Sequence, residues 1–556
     1  MKRGSRYFWL LMPLLIVGIA CQAFASPVKT ESGLVEGVIQ DGLTVYKGIP
    51  FASPPVGDLR WRAPQPVTPW HGIRHAGSFA PECMQTGSYP PDAPPEPTSE
   101  DCLYLNIWRP AAADDARLPV MVWIYGGGLE NGSASMPLYA GDKLARKGVI
   151  VVTLNYRLGV FGFLALPWLS KESPHRSSGD YGLLDQIAAL NWVHRNIAAF
   201  GGDPGRVTVF GQSSGSISIS ALTASPLTKG LFQRAIGESG GLFEPLELAP
   251  DLHLAGAEQA GLGFSARAGA TSLQALRKVP AAELMKTWFS TNLIVDGYAL
   301  TEEPYDAYRD GRENDVSILI GSNADEGRLF TAGRRITPGN FTQELDDDFP
   351  GLLVWLIAPK SGDTDEAALT AAARFETDMR FRWDMITWAR LAAGHGGHNV
   401  FLYQFDRTPP YPPGSRYAGL GATHGMEMPY VFDHLDLLAA PWTAEDHLLA
   451  EDMSDYWTNF AKSGDPNGQG LPAWPEYKRA NTQAMYLGNT IRSGPVEDQG
   501  ELKRISFVYT TARYAVKHVY LILTGAILLL ILLILGLAVA VRRWRRRDRL
   551  QVQAGV

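Results

Sequence analysis

The sequence predicts an α/β fold with a large, mostly parallel central sheet flanked by helices, plus one C-terminal transmembrane helix. Three observations predict it. Short apolar runs alternate with helical patterns through the body of the chain, which is the signature of parallel strands joined by helical crossovers. One helical pattern keeps a single apolar stripe from Leu183 to Phe200. Near the end, Val519 to Val541 is an uninterrupted run of 23 uncharged residues.

At the N-terminus, Lys2, Arg3 and Arg6 precede an apolar run from Tyr7 to Ala20 and the small-x-small triplet Ala23-Phe24-Ala25. That order is the pattern of a signal peptide, expected here as residues 1–25. The body, residues 26–505, is expected to form one domain. Within it, Pro119-Val-Met-Val-Trp-Ile-Tyr125 reads as a buried strand ending at Gly126-Gly127-Gly128, and Val149 to Asn155 as another. Leu183, Ile187, Leu190, Val193, Ile197 and Phe200 recur at spacings of three and four, one face of an amphipathic helix. Gly201-Gly202-Asp203-Pro204 stops it, and a strand follows at Val207–Phe210. Ser317–Ile320 and Val400–Phe405 are further strands, and the five prolines between Tyr89 and Pro97 mark a surface loop.

Residues 506–518 read as a juxtamembrane stalk. Residues 519–541 reach roughly 34 Å as a helix, enough for a hydrocarbon core of about 30 Å. The tail, 542–556, carries six arginines, so by the positive-inside tendency it is expected in the cytoplasm and the body on the exported side. The tail carries +5 and the leader +3 of a chain whose formal net charge is −7, leaving −15 on the body. An acidic body argues against a nucleic-acid partner, and the membrane is the partner expected for the basic tail. Cys83 and Cys102 are the two cysteines outside the leader. In an oxidising compartment a disulfide is expected, and closing that loop would contribute about 3 kcal/mol. His71 and His75 stand four apart but lack a third ligand, so no metal site is expected.

Two G-x-S-x-G matches occur, Gly211-Gln-Ser213-Ser-Gly215 and Gly237-Glu-Ser239-Gly-Gly241. Glycine is 57 of the 556 residues, so the motif alone decides nothing. A nucleophile elbow needs a strand before the serine and a helix after it. Ser213 follows the strand Val207–Phe210 and precedes a helix-compatible run through Leu222, whereas Ser239 runs into Gly-Leu-Phe-Glu-Pro245. Ser213 is therefore the candidate nucleophile and Ser239 the decoy. A serine hydroxyl needs a base, and the base a carboxylate to orient it. His424, in a glycine-flanked loop beyond the strand ending at Phe405, is the candidate base. Asp325 and Glu326, just past the strand that begins at Ser317, offer the carboxylate. All lie past strand C-termini, where open α/β sheets place their sites. The amides of the Gly126–Gly128 run and of Ser214 would hold an oxyanion, each donor being worth about 10²–10³ in rate. No cofactor is needed for this chemistry.

Several longer stretches narrow the reading. Tyr46-Lys-Gly-Ile-Pro-Phe-Ala52, Ser99-Glu-Asp-Cys-Leu-Tyr-Leu-Asn-Ile-Trp108, Asn155-Tyr-Arg-Leu-Gly159, His424-Gly-Met-Glu427 and Trp457-Thr-Asn-Phe-Ala-Lys-Ser-Gly-Asp-Pro-Asn467 stand in this order. Together they closely resemble the type-B carboxylesterase and cholinesterase family. The resemblance covers roughly residues 28 to 490 and implies one α/β-hydrolase domain acting on a small-molecule ester. It puts the nucleophile on Ser213, the acid on Glu326 rather than Asp325, the base on His424 and the oxyanion donors on Gly127, Gly128 and Ser214. It also makes Ser239 a support of the triad and Cys83–Cys102 the family's first disulfide. Two departures stand out: Gln212 replaces the family's glutamate before the nucleophile, and the Cys83–Cys102 loop has no tryptophan. Both weaken attraction for a quaternary ammonium, which argues against choline esters. The alternatives are an adhesion protein of neuroligin type, which would lack the working nucleophile kept here, and an amide or carbamate hydrolase using the same three residues.

Overall fold

The computed structural model describes residues 24–553 apart from 88–95, 112–115, 247–248 and 498. Eleven strands form the main sheet: β1 (Val38–Gln40), β2 (Leu43–Pro50), β3 (Tyr104–Pro110), β4 (Leu118–Ile124), β5 (Ile150–Leu154), β6 (Gly202–Gln212), β7 (Arg234–Glu238), β8 (Ser317–Asn323), β9 (Val400–Phe405), β10 (Gln483–Leu487) and β11 (Arg492–Pro495). Their spatial order is β11-β10-β9-β8-β7-β6-β4-β5-β3-β2-β1. The seven strands from β5 to β10 pair in parallel, and the antiparallel strands lie at the two edges. The expected α/β architecture is present.

The central strands are buried on both faces, which is why they read as continuous apolar runs. Val120, Met121, Val122, Trp123 and Ile124 of β4 are fully buried, as are Val207, Val209 and Phe210 of β6. The striped segment is the helix Tyr181–Asn196 continued by a 3₁₀ turn at Ile197–Phe200, and its six stripe residues are all buried. Gly201 ends it at φ 82°, a left-handed cap that glycine adopts at little cost. Sequence reading missed β7, whose Arg234–Glu238 span lies just before the decoy serine.

Cys83 and Cys102 are joined in a disulfide. The expected leader falls outside the described residues up to residue 23. Its last two residues meet the body: Phe24 bridges to Val38, and the Ala25 N–H donates to Gly37 O at 2.9 Å. Most of the proline-rich segment from Tyr89 to Pro97 also lies outside the described residues.

The C-terminal region departs from expectation. Residues 506–518 were expected as a stalk, yet most of them belong to a helix, Gln499–Lys517, that is docked on the body. Leu502, Ile505, Tyr509 and Arg513 are buried along one face at spacings of three and four, so an amphipathic stripe holds the segment down. The Arg513 guanidinium donates to Phe243 O at 2.7 Å and stacks over Tyr305. A second helix, Val519–Gln553, follows, and its span Val519–Trp544 is long and apolar enough to cross a membrane.

Candidate active site

The site stands at the C-terminal edge of the sheet. Ser213 lies between β6 and the helix Ser214–Ala224 at φ 55°, ψ −127°. A non-glycine residue in that region is strained, and here the sharp turn lifts the side chain off the sheet edge. The flanking glycines permit it. A Cβ on Gly211 would lie 2.4 Å from the carbonyl oxygen of Ile124, and one on Gly215 would lie 2.1 Å from the same oxygen. Strand, turn and helix therefore close on a single point of β4.

Glu326 follows β8 and His424 follows β9, and the structure brings their side chains together. His424 Nδ1 is 2.6 Å from Glu326 Oε2, with the carboxylate fully buried. The other carboxylate oxygen accepts from Ser239 Oγ at 2.5 Å and from the Asn323 N–H at 2.7 Å. Ser239 ends β7 as Ser213 ends β6, also with positive φ (56°). The decoy thus has a place in the site: its hydroxyl holds the acid. Asp325 instead faces Arg328 and the Ala422 N–H.

With Nδ1 donating to Glu326, Nε2 of His424 is the free acceptor. It is 3.3 Å from Gln212 Nε2, and its ring stacks on Phe381 at 4.5 Å. No hydrogen bond joins Ser213 Oγ to Nε2 among the described residues; such bonds often tighten only when substrate binds. On the opposite side, Gly127 (φ 116°) and Gly128 (φ 65°) turn the chain beyond β4. Leu129 N–H donates to Ser214 Oγ at 3.1 Å, tying this loop to the start of the helix. Ser214 is the first residue of that helix, so its N–H has no partner within the helix.

Sequence reasoning missed a layer of buried carboxylates beneath the histidine. Glu427, one helical turn past His424, accepts from Asn323 Nδ2 at 2.5 Å. Burial and then the neighbouring Glu326 charge push its carboxyl up to about 7. Glu238 is also pushed well above the usual carboxylate range, by burial and then by Glu427, with Trp457 Nε1 donating to it at 2.7 Å. The signal was there: Glu427 falls at a helical spacing from His424, and Asn323 three residues before Glu326.

Ser213, Ser214 and Gly128 border a cavity of about 540 Å³, walled mainly by apolar side chains such as Leu129, Leu246, Leu353 and Phe381. Trp288 and Phe289 do not line it. Trp288 is 73% exposed, while Phe289 packs against Phe264; the chain just after them contributes Thr291, Asn292 and Leu293 instead.

Comparison with known proteins places these observations. A model of the carboxylesterase family matches residues 25–508. Fumonisin B1 esterase of Sphingopyxis macrogoltabida is 40% identical over 495 residues, covering 84% of this chain and 87% of that protein. Para-nitrobenzyl esterase of Bacillus subtilis (strain 168) is 37% identical over 495 residues, covering 85% and 97%. A solved pNB esterase superposes with a TM-score of 0.75 at 34% identity, over 86% of this chain and 99% of that one.

Proposed function

The chain belongs to the carboxylesterase family, and on that premise we propose that it hydrolyses small-molecule esters through an acyl-enzyme on Ser213. His424 is the general base and Glu326 the group that orients it. Ser213 Oγ attacks the ester carbonyl carbon while His424 Nε2 takes the hydroxyl proton. The carbonyl oxygen, now an anion, is held by the N–H groups of Gly127, Gly128 and Ser214. The tetrahedral intermediate collapses, and the alcohol leaves with the proton returned by His424. Water then attacks the acyl carbon with the same base, and the carboxylic acid departs as Ser213 Oγ recovers its proton. Ser239 and the Asn323 amide keep the Glu326 carboxylate in place for both halves.

The observation that carries this reading is the strained Ser213 at the rim of an apolar cavity, next in the chain to Gln212, whose amide reaches a histidine anchored to a doubly held carboxylate. We further propose that the helix spanning residues 519–541 anchors the chain in a membrane, with the body exported and the arginine-rich tail inside. The direct test is turnover of p-nitrophenyl esters of increasing acyl length by the full chain and by Ser213→Ala. The variant should lose at least about 10⁴ in kcat with its thermal unfolding unchanged. Turnover retained in that variant would refute the assignment.

A further inference from the structure

The wall of the Ser213 cavity includes the helix that leads to the apolar span. Tyr509 of Gln499–Lys517 lines the cavity, together with Phe349, Pro350 and Leu353. One residue, His518, separates that helix from Val519–Gln553. The bonds from His518 N–H to Tyr514 O and from Ile522 N–H to His518 O carry the helical pattern across the joint. Ten residues at about 1.5 Å each put Tyr509 within about 15 Å of Val519, whatever the tilt of the helix. A headgroup layer is roughly 5–8 Å deep on each side of the hydrocarbon. The cavity wall therefore stands at the membrane surface or just above it.

The rim has a matching surface. The short helix Gly351–Ile357 packs against Gln499–Lys517 and buries Val354 and Ile357. It turns Leu352, Trp355 and Leu356 outward, exposed by 69%, 78% and 41%, and Phe507 on the neighbouring helix is 71% exposed. Burying a large apolar side chain is worth about 1.5–3 kcal/mol, so leaving four in water forgoes a stabilisation that an acyl layer would supply. Tryptophan beside leucines is the composition of a side chain set at a membrane interface. Asp346 and Asp347 nearby are exposed, so attraction to anionic headgroups is not the driving force.

We propose that the outer face of the Gly351–Ile357 helix dips into the leaflet that receives the 519–541 helix, so that the Ser213 cavity draws on esters dissolved in the bilayer. The proposal rests on the membrane-anchored ester hydrolase reading above. It commits to a lipid surface, neutral phosphatidylcholine included, as the occupant of this face, and to membrane-partitioned, long-chain esters as the substrate class.

The test uses the full chain in phosphatidylcholine vesicles. Brominated phosphatidylcholine should quench part of the tryptophan fluorescence, Trp544 at the end of the apolar span included, and the quenched part should shrink in Trp355→Phe. The variant L352S/W355S/L356S should turn over p-nitrophenyl acetate in water within twofold of the parent. Its turnover of p-nitrophenyl palmitate carried in the vesicles should fall at least tenfold. An inserted chain with no Trp355-dependent quenching, or with the two substrates affected equally, overturns the proposal and leaves the anchor standing. A chain that does not insert overturns both. Absence of turnover on p-nitrophenyl acetate overturns the esterase reading and with it the substrate class, while the quenching difference, which needs no activity, still decides the docking face.

Discussion

Replacing Glu427 with glutamine isolates the buried charge beneath the histidine. In the folded chain, burial and the adjacent Glu326 carboxylate raise Glu427 from an ordinary 4.5 to about 7. The unfolded chain gives up that proton near the ordinary value, whereas the folded chain keeps it until about 7. Between those two pH values the folded state binds more protons, so stability falls as pH rises and the loss is complete above about 7. At 1.36 kcal/mol per tenfold step, the contribution lost is roughly 3 kcal/mol. Glutamine has no proton to lose. Its carbonyl can still accept from Asn323 Nδ2, and its amide takes the place of Oε1, which has no partner among the described residues. The variant is thus a permanent copy of the protonated glutamate. Urea unfolding of detergent-solubilised protein should find variant and parent within about 1 kcal/mol at pH 5, and the variant more stable by roughly 3 kcal/mol at pH 8.5. The difference reports the Glu427 charge together with the relief of Glu238, which that charge helps to raise. Parallel curves across that range would refute the reasoning.

Gly127→Ala should lower kcat by about 10²–10³, because its Cβ would lie 2.1 Å from Asn131 O at φ 116°, forcing the loop amide to move. Gly128→Ala meets nothing within 4 Å and should cost far less; steady-state kinetics of the pair compare them directly. Arg513→Met should destabilise the chain by about 3–5 kcal/mol. Burial already pushes both Glu244 and Asp384 up, the Glu244 charge adds to the rise at Asp384, and Arg513 opposes the rise at both. Without the cation both acids hold their protons to still higher pH, so the deficit in unfolding free energy should widen as pH rises. Cys83→Ala/Cys102→Ala should lose about 3 kcal/mol, and only the parent should then be sensitive to a reductant in thermal unfolding.

Most of the central parallel strands, β7 excepted, were readable because burial on both faces leaves long apolar runs, as in Val120–Ile124. The edge strands β1, β2, β10 and β11 were not, since they are short and their pairing is set by tertiary contacts. Ser213, Glu326 and His424 could be nominated from chain order and from their positions past strand ends. Distance in sequence hid the rest of the site. Asn323 touches Glu427 across 104 residues and Ser239 touches Glu326 across 87, and no local pattern encodes such a pair. The docked helix was mistaken for a stalk because its buried stripe includes Tyr509 and Arg513, polar-tipped residues that hydrophobic counting sets aside.

The shared approach of Gly211 and Gly215 to the Ile124 carbonyl has a consequence for how such a motif is used. Those two positions answer to the thickness of a side chain between layers, and the serine between them answers to chemistry. A variant library that randomises residue 213 while keeping both glycines should give folded, inactive proteins. One that randomises the glycines should lose the scaffold before activity can be asked about. Finding both glycines in a distant sequence thus vouches for the joint between a strand and a helix and leaves catalysis to be tested separately.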